Sequence, residues 1–177
     1  MPIFARTKLI LQDDCFNVSN PELKLDYTGP NPQKVYNKIK DTFHTIFGVK
    51  EEERVQETEY SWNREGDKEI FNAKWEIVKD MDKYSYLLFR LKMNGFAQQT
   101  KKGKIGKVKI DINGVVRTEY PQDSFWERSI FYELLRVFWH KTFYHDKRLD
   151  YQEQCKNIIT TFLNELKSFL NLLPERI

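Results

Sequence analysis

Apolar residues return every three or four positions across 150–173: Tyr151, Cys155, Ile158, Ile159, Phe162, Leu166, Phe169, Leu170 and Leu173. That spacing predicts one long amphipathic helix with a broad apolar face. Asp150 and Glu153 make a capping-box pattern at its start, and Pro174 stops it. A face this wide needs a partner surface, and the middle of the chain supplies one. From 54 to 120 the period drops to two. Thr58, Tyr60 and Trp62 alternate with charged and polar residues, as do Phe71, Ala73, Trp75 and Ile77, then Leu87, Phe89, Leu91 and Met93, then Val108, Ile110 and Ile112. Turn signals fall between these runs at 65–67, at 80–82 and in a polar loop over 97–103, and Asn113-Gly114 closes the last run. Four successive strands with short turns predict an antiparallel meander.

Two shorter patterns precede the meander. Residues 7–18 hold the run Leu9-Ile10-Leu11, an Asp13-Asp14 break and Val18, which reads as a straight or bent strand. Leu23, Leu25 and Tyr27 alternate with Glu22, Lys24 and Asp26, which predicts a half-buried strand. Gly29-Pro30-Asn31-Pro32 then launches a helix, with Asn31 as N-cap and Pro32 in the first turn. Its stripe is Val35, Ile39, Phe43, Ile46 and Phe47, and Gly48 ends it. After the meander, Pro121 breaks the pattern and Ser124 with Glu127 forms another capping box. The helix predicted over 124–144 carries Phe125, Trp126, Ile130, Phe131, Leu134, Leu135, Val137, Phe138, Trp139 and Phe143, apolar around more than half its circumference. Such a helix is either buried on two sides or presents aromatics to a partner.

Composition changes this picture only slightly. The chain has 177 residues, 40% hydrophobic, 31% charged and 15% aromatic, the balance of a globular domain with a substantial core. The expectation is one domain over 1–177, with 1–21 as a strand extension and 122–147 as an additional aromatic-rich helix. The net charge is +3 with interspersed signs, so no nucleic-acid field is implied. Lys101, Lys102, Lys104, Lys107 and Lys109 read as a solvated edge that discourages further strand pairing. Glu51-Glu52-Glu53 reads as a solvated connector. Cys15 and Cys155 give no disulfide framework, and Cys155, on the apolar helix face, reads as a buried inert thiol. With no apolar run at 1–6, the expected setting is cytoplasmic and reducing.

The order strand, helix, four-strand meander, long helix resembles the helix-grip fold of the START and Bet v 1-like (SRPBCC) superfamily. Three stretches carry the likeness: the strand from Glu22 through Gly29-Pro30-Asn31-Pro32 into Val35-Tyr36, the meander, and the helix 150–173. The resemblance implies an α+β domain, a curved antiparallel sheet wrapped around a long helix, here with an extra helix before it. It also implies an apolar cavity between sheet and helix that binds lipids or other apolar small molecules, or in some members supports cyclase-type chemistry.

On that basis the candidate ligand-binding residues are Tyr60, Trp62, Phe71, Trp75, Phe89, Leu91 and Met93 from the sheet, with Ile158, Phe162 and Leu166 from the helix. Phe169 extends the helix stripe. Arg90 and Asn94 would orient a polar end if they pointed inward, but the cost of burying an unpaired arginine favours the opposite orientation, with Leu87, Phe89, Leu91 and Met93 inside. The alternative expectation is an interaction module in which Trp126, Phe131, Leu135 and Trp139 dock a protein, a second copy or a membrane surface. No phosphate loop, nucleophile elbow or zinc motif occurs in the sequence. His44, His140 and His145 lack metal-ligand spacing, and no cofactor is implied.

Overall fold

The computed structural model describes residues 10–16, 22–49, 54–101, 103–120 and 129–172. The fold is α+β: a six-stranded antiparallel sheet and three helices. In chain order the elements are β1 (Ile10–Asp14), β2 (Glu22–Pro30), a 3-10 turn (Pro32–Lys34), α1 (Val35–Thr45), β3 (Val55–Glu65), β4 (Lys68–Asp80), β5 (Ser85–Thr100), β6 (Gly103–Glu119), α2 (Ile130–Thr142) and α3 (His145–Phe169).

Strands β3 to β6 form the meander that the alternation predicts. Gly66, with φ of 61°, makes the β3–β4 turn. The Asp82 carboxylate holds the β4–β5 turn by accepting the N–H groups of Tyr84 and Ser85, each at 2.8 Å. Strands β5 and β6 outrun their predicted ends. The polar stretch expected as a loop continues β5 to Thr100, and β6 passes through Asn113-Gly114 to Glu119. Gln98 and Gln99 pair with Ile105 and Lys104 where the sheet extends past its core, so neither face supplies an apolar signal there.

Strands β1 and β2 lie end to end along the free edge of β6, opposite 115–119 and 105–113 respectively. At the break between them, the Cys15 N–H bonds the Gly114 carbonyl at 2.9 Å. Cys15 is joined to Cys155 of α3 by a disulfide that spans 140 residues. This corrects the expectation of two unlinked thiols. Spacing alone cannot show that β6 carries its edge partner to within bonding distance of α3. Gly114 makes the approach possible, because a Cβ there would stand 2.6 Å from Ile159 Cδ1 and 2.9 Å from Cys155 Sγ.

The alternation settles which sheet face is inner. Phe71, Ala73, Trp75, Ile77, Leu87, Phe89, Leu91, Met93, Val108, Ile110 and Ile112 are buried, whereas Arg90 and Asn94 point to solvent. Against the inner face pack Val35, Ile39, Phe43 and Phe47 from α1 and its end, and Cys155, Ile159, Phe162, Leu163 and Leu166 from α3. Phe47 joins the layers, with ring centroids 4.9 Å from Phe89 and 5.3 Å from Phe162. Lys38 and Glu165 pair at 2.6 Å across the two helices.

Helix boundaries shift in instructive ways. Helix α3 begins at His145, five residues before the expected cap, so Asp150 and Glu153 lie within it. The intervening residues are polar apart from Leu149 and contain neither Gly nor Pro, so nothing interrupts helix formation. Asn31, with φ of 53°, makes no side-chain cap, and Pro32 opens a 3-10 turn ahead of α1. Helix α2 is shorter than the predicted 124–144 and is capped by Ser129, which accepts the Tyr132 N–H at 3.2 Å. The expected capping box at Ser124 and Glu127, together with Phe125, Trp126, Leu9, Val18, the 51–53 connector, Lys102, Leu173 and Pro174, lies outside the described residues.

Candidate functional site

The candidate ligand-binding residues fall into two groups. Phe71, Trp75, Phe89, Leu91, Met93, Phe162 and Leu166 are brought together between sheet and α3, each with 1% or less of its surface exposed. They pack on one another and on α1 as part of one buried cluster. Tyr60 is exposed, and Trp62 and Ile158 are half-buried. Tyr60 and Trp62 form an aromatic margin with Tyr36, whose ring centroid lies 5.7 Å and 6.0 Å from theirs. The Tyr36 hydroxyl donates to Glu57 at 2.9 Å, and burial together with that carboxylate pushes its pKa up to about 12. Phe169 is exposed at the end of the α3 stripe.

Concavities do occur among the described residues, and some of the candidate residues border them: Phe71 the first, Trp75 and Leu91 the second, and Trp75 with Phe43 the third. A hollow of about 390 Å³ on the outer sheet face is lined by Lys68, Ile70, Asn72, Asn94, Phe96, Lys107 and Lys109. One of about 220 Å³ beside it is lined by Glu22, Lys74, Glu76, Arg90, Lys92, Asp111 and Asn113. The basic groups of the second hollow are largely matched, with Lys74 paired to Glu59 and Arg90 to Glu76. A third, of about 480 Å³, lies between α1 and β3 beside His44, whose Nδ1 bonds the Val49 carbonyl at 2.8 Å.

The feature that departs most from ordinary globular packing is α2. A helix on a globular surface normally turns its apolar face inward. Here the order is reversed. Arg136 and His140 are the buried residues of α2, 4% and 8% exposed, whereas Phe131 is 70% and Trp139 55% exposed. Ile130, Leu134, Leu135, Val137 and Phe138 share the outward face, and Phe143 continues it. At 100° per residue these positions sweep roughly 200° of the circumference. Lys141 is the one charged residue within that sweep.

A polar seat holds the inward face. Tyr120, at the end of β6, bonds His140 Nδ1 at 2.8 Å, and Arg148 Nη1 lies 2.5 Å from His140 Nε2. Since an arginine only donates, Nε2 accepts and Nδ1–H donates to the Tyr120 oxygen. Arg148 also pairs with Asp13 of β1, and Arg136 with Glu133. The Arg136 guanidinium lies 5.4 Å from the centre of the Tyr120 ring. Burial, and Arg148 beside it, hold the His140 pKa below the usual histidine range.

Next to this seat, the Tyr144 hydroxyl lies 2.9 Å from Ser85 Oγ and donates to Asp82, and Tyr151 donates to Asp82 at 2.9 Å. Burial and the Asp82 hydrogen bond raise the Tyr144 pKa, and burial followed by the same partner raises that of Tyr151. Sequence reasoning singled out the aromatics of α2 but missed its seat. Tyr120, Arg136 and Arg148 are far apart in sequence, and no motif links them. The detectable signal was Arg136 and His140, one turn apart on the polar side of an otherwise apolar helix.

Among the described residues no group of three or more His, Cys, Asp or Glu side chains comes together as a metal site, and no helix is long and apolar enough to cross a membrane. No protein-family model and no curated protein matches this sequence.

Proposed function

We propose that this protein is an interaction module that attaches to the surface of a lipid bilayer through α2. The observation that carries the proposal is the inverted helix. Eight large apolar side chains from Ile130 to Phe143 are each about half exposed or more, a patch on the order of 1,000 Å² against the few hundred Å² common on monomers. The polar seat fixes that face outward, since turning it inward would strip Arg136 and His140 of their partners.

The width of the sweep favours a bilayer over a partner helix. A helix partner covers a stripe of about 100°, roughly half of what α2 exposes. A helix about 10 Å across that sinks 5–10 Å into the headgroup boundary has half its girth or more submerged. Phe131, Phe138 and Trp139 suit that depth, and Lys141 can reach back to the headgroups. The Cys15–Cys155 disulfide favours an oxidising compartment over the reducing cytoplasm for this surface. Kinship with helix-grip domains remains part of the proposal. The order of elements supports it, but the packed core between sheet and α3 gives no support to its ligand-binding role.

Sedimentation with phosphatidylcholine and phosphatidylserine vesicles tests the reading. The protein is expected to pellet with the vesicles, and Phe138→Ser with Trp139→Ser to weaken partitioning more than tenfold, given about 1.5–3 kcal/mol per large side chain removed. A protein that ignores vesicles, but forms a dimer that the same double variant dissolves, would assign α2 to a second copy and overturn the bilayer reading.

A further inference from the structure

The hollow of about 480 Å³ between α1 and β3 has the size and the layering of a small-molecule site. Its floor is apolar: Phe43 of α1, Trp75 of β4 and the half-buried Val55 of β3. Its rim is polar and exposed: Lys40, Asp41 and His44 from α1, and Glu57 from β3.

The floor holds an unmet donor. Trp75 is 1% exposed, and its Nε1 has no hydrogen-bond partner among the described residues. Strand alternation turns the indole to the inner face, toward α1, where its ring centroid lies 5.9 Å from that of Phe43 and 5.5 Å from that of Tyr36. An indole N–H can only donate, and buried donors nearly always find an acceptor. The hollow that Trp75 borders has room to admit one.

The rim offers mostly acceptors. The Val49 carbonyl can only accept, so His44 Nδ1 carries the hydrogen between them and Nε2 is the free nitrogen. Glu57 gives Oε1 to the Tyr36 hydroxyl and keeps Oε2. Asp41 makes no side-chain bond to a described residue. Lys40 is the single cation of the rim, and its Nζ lies 5.4 Å from the centre of the Tyr36 ring. Two carboxylates against one ammonium favour a cationic group at the mouth.

We infer that this hollow binds a small aromatic amine. Its ring lies on Phe43 and Trp75, an oxygen or ring nitrogen at its inner end accepts from Trp75 Nε1, and its ammonium meets Asp41 and Glu57 at the rim. The site is separate from α2 and does not depend on α2 meeting a bilayer.

Tyramine is the probe, because its phenol oxygen and its ammonium stand at opposite ends of one ring. Two relatives each lack one part: phenethylamine has no phenol oxygen, and hydroxyphenylpropionate carries a carboxylate in place of the ammonium. Each is titrated into the full chain, with binding read by calorimetry and by the Trp75 Nε1–H resonance. Tyramine should bind saturably and move that resonance. Phenethylamine should bind about threefold or more weakly and move it less, and the propionate should not bind. Asp41→Asn with Glu57→Gln, both on the surface, should weaken tyramine about fivefold. No saturable tyramine binding overturns the inference. So does a Trp75 resonance that stays fixed at saturation, a propionate that binds as well as tyramine, or a double variant with unchanged affinity.

Discussion

Single residues set the acid limit of this fold. The His140 pKa is held low by burial first and by Arg148 second, with Asp13 pulling the other way and losing. A histidine kept neutral in the folded state contributes stability above its unfolded value, near 6.5, and that stability is lost as the pH falls through the lower folded value. Asp82 adds a second step. Burial pushes its pKa up, but hydrogen bonds from Tyr144, the Tyr84 N–H, Tyr151 and the Ser85 N–H outweigh it and leave the pKa low. Its contribution is present above about pH 4 and drains away below. Urea midpoints measured from pH 8 to pH 3 should therefore fall in two stages. His140→Gln should flatten the upper stage and Asp82→Asn the lower, and a wild-type curve that stays level between pH 7 and 5 would contradict the His140 part. Gly114 sets a steric limit. Gly114→Ala places a methyl group against Ile159 and Cys155, and the resulting overpacking should cost about 1–3 kcal/mol, read as a lower melting temperature. Of these residues, only the buried position of Cys155 was legible in the sequence. Gly114 looked like a turn because Asn-Gly is a turn signal, and its true constraint comes from a helix that starts 31 residues later.

Elements repeat the contrast. The cores of β3 to β6, α1 and α3 were readable because each buries one face and shows a clean period. Their ends were not, since at the β5–β6 tip both faces meet water and along His145–Leu149 helix formation needs no apolar face. Helix α2 was readable as too apolar, whereas the direction its apolar side faces depends on Tyr120 and Arg148, which lie on other elements. Strands β1 and β2 were readable singly, but not as two halves of one edge. The disulfide at their junction ties that edge to α3 across a span of 140 residues. Closing so long a loop restricts the unfolded chain and should add about 3–5 kcal/mol. The urea midpoint is expected to drop by that equivalent on reduction or in Cys15→Ser with Cys155→Ser. Equal midpoints, or two titratable thiols in the oxidised protein, would count against the link. Because both cysteines are fully buried, reductant should act only once the fold has opened.

At the scale of the whole molecule, the sheet was legible as a meander and the packing of α3 as its partner. The packing of α1 between them was not, because large aromatics can either line a cavity or join a core, and the sequence pattern is the same for both. The end of α1 joins the two layers, where Phe47 reaches both Phe89 and Phe162. The edge pairing has a consequence for how the chain comes into being. Ile10 pairs with Glu119 and Pro30 with Ile105, so among the described residues both early strands have β6 as their one ladder partner. At a synthesis rate of about 5–20 residues per second, β2 waits roughly 4–15 seconds for its partner to be made, and β1 longer still. During that interval the ribosome carries two strands with open edges and no sheet to join. The native order of assembly therefore runs against the order of synthesis: the hairpins close first, the earliest residues dock late, and the covalent link to α3 comes after both.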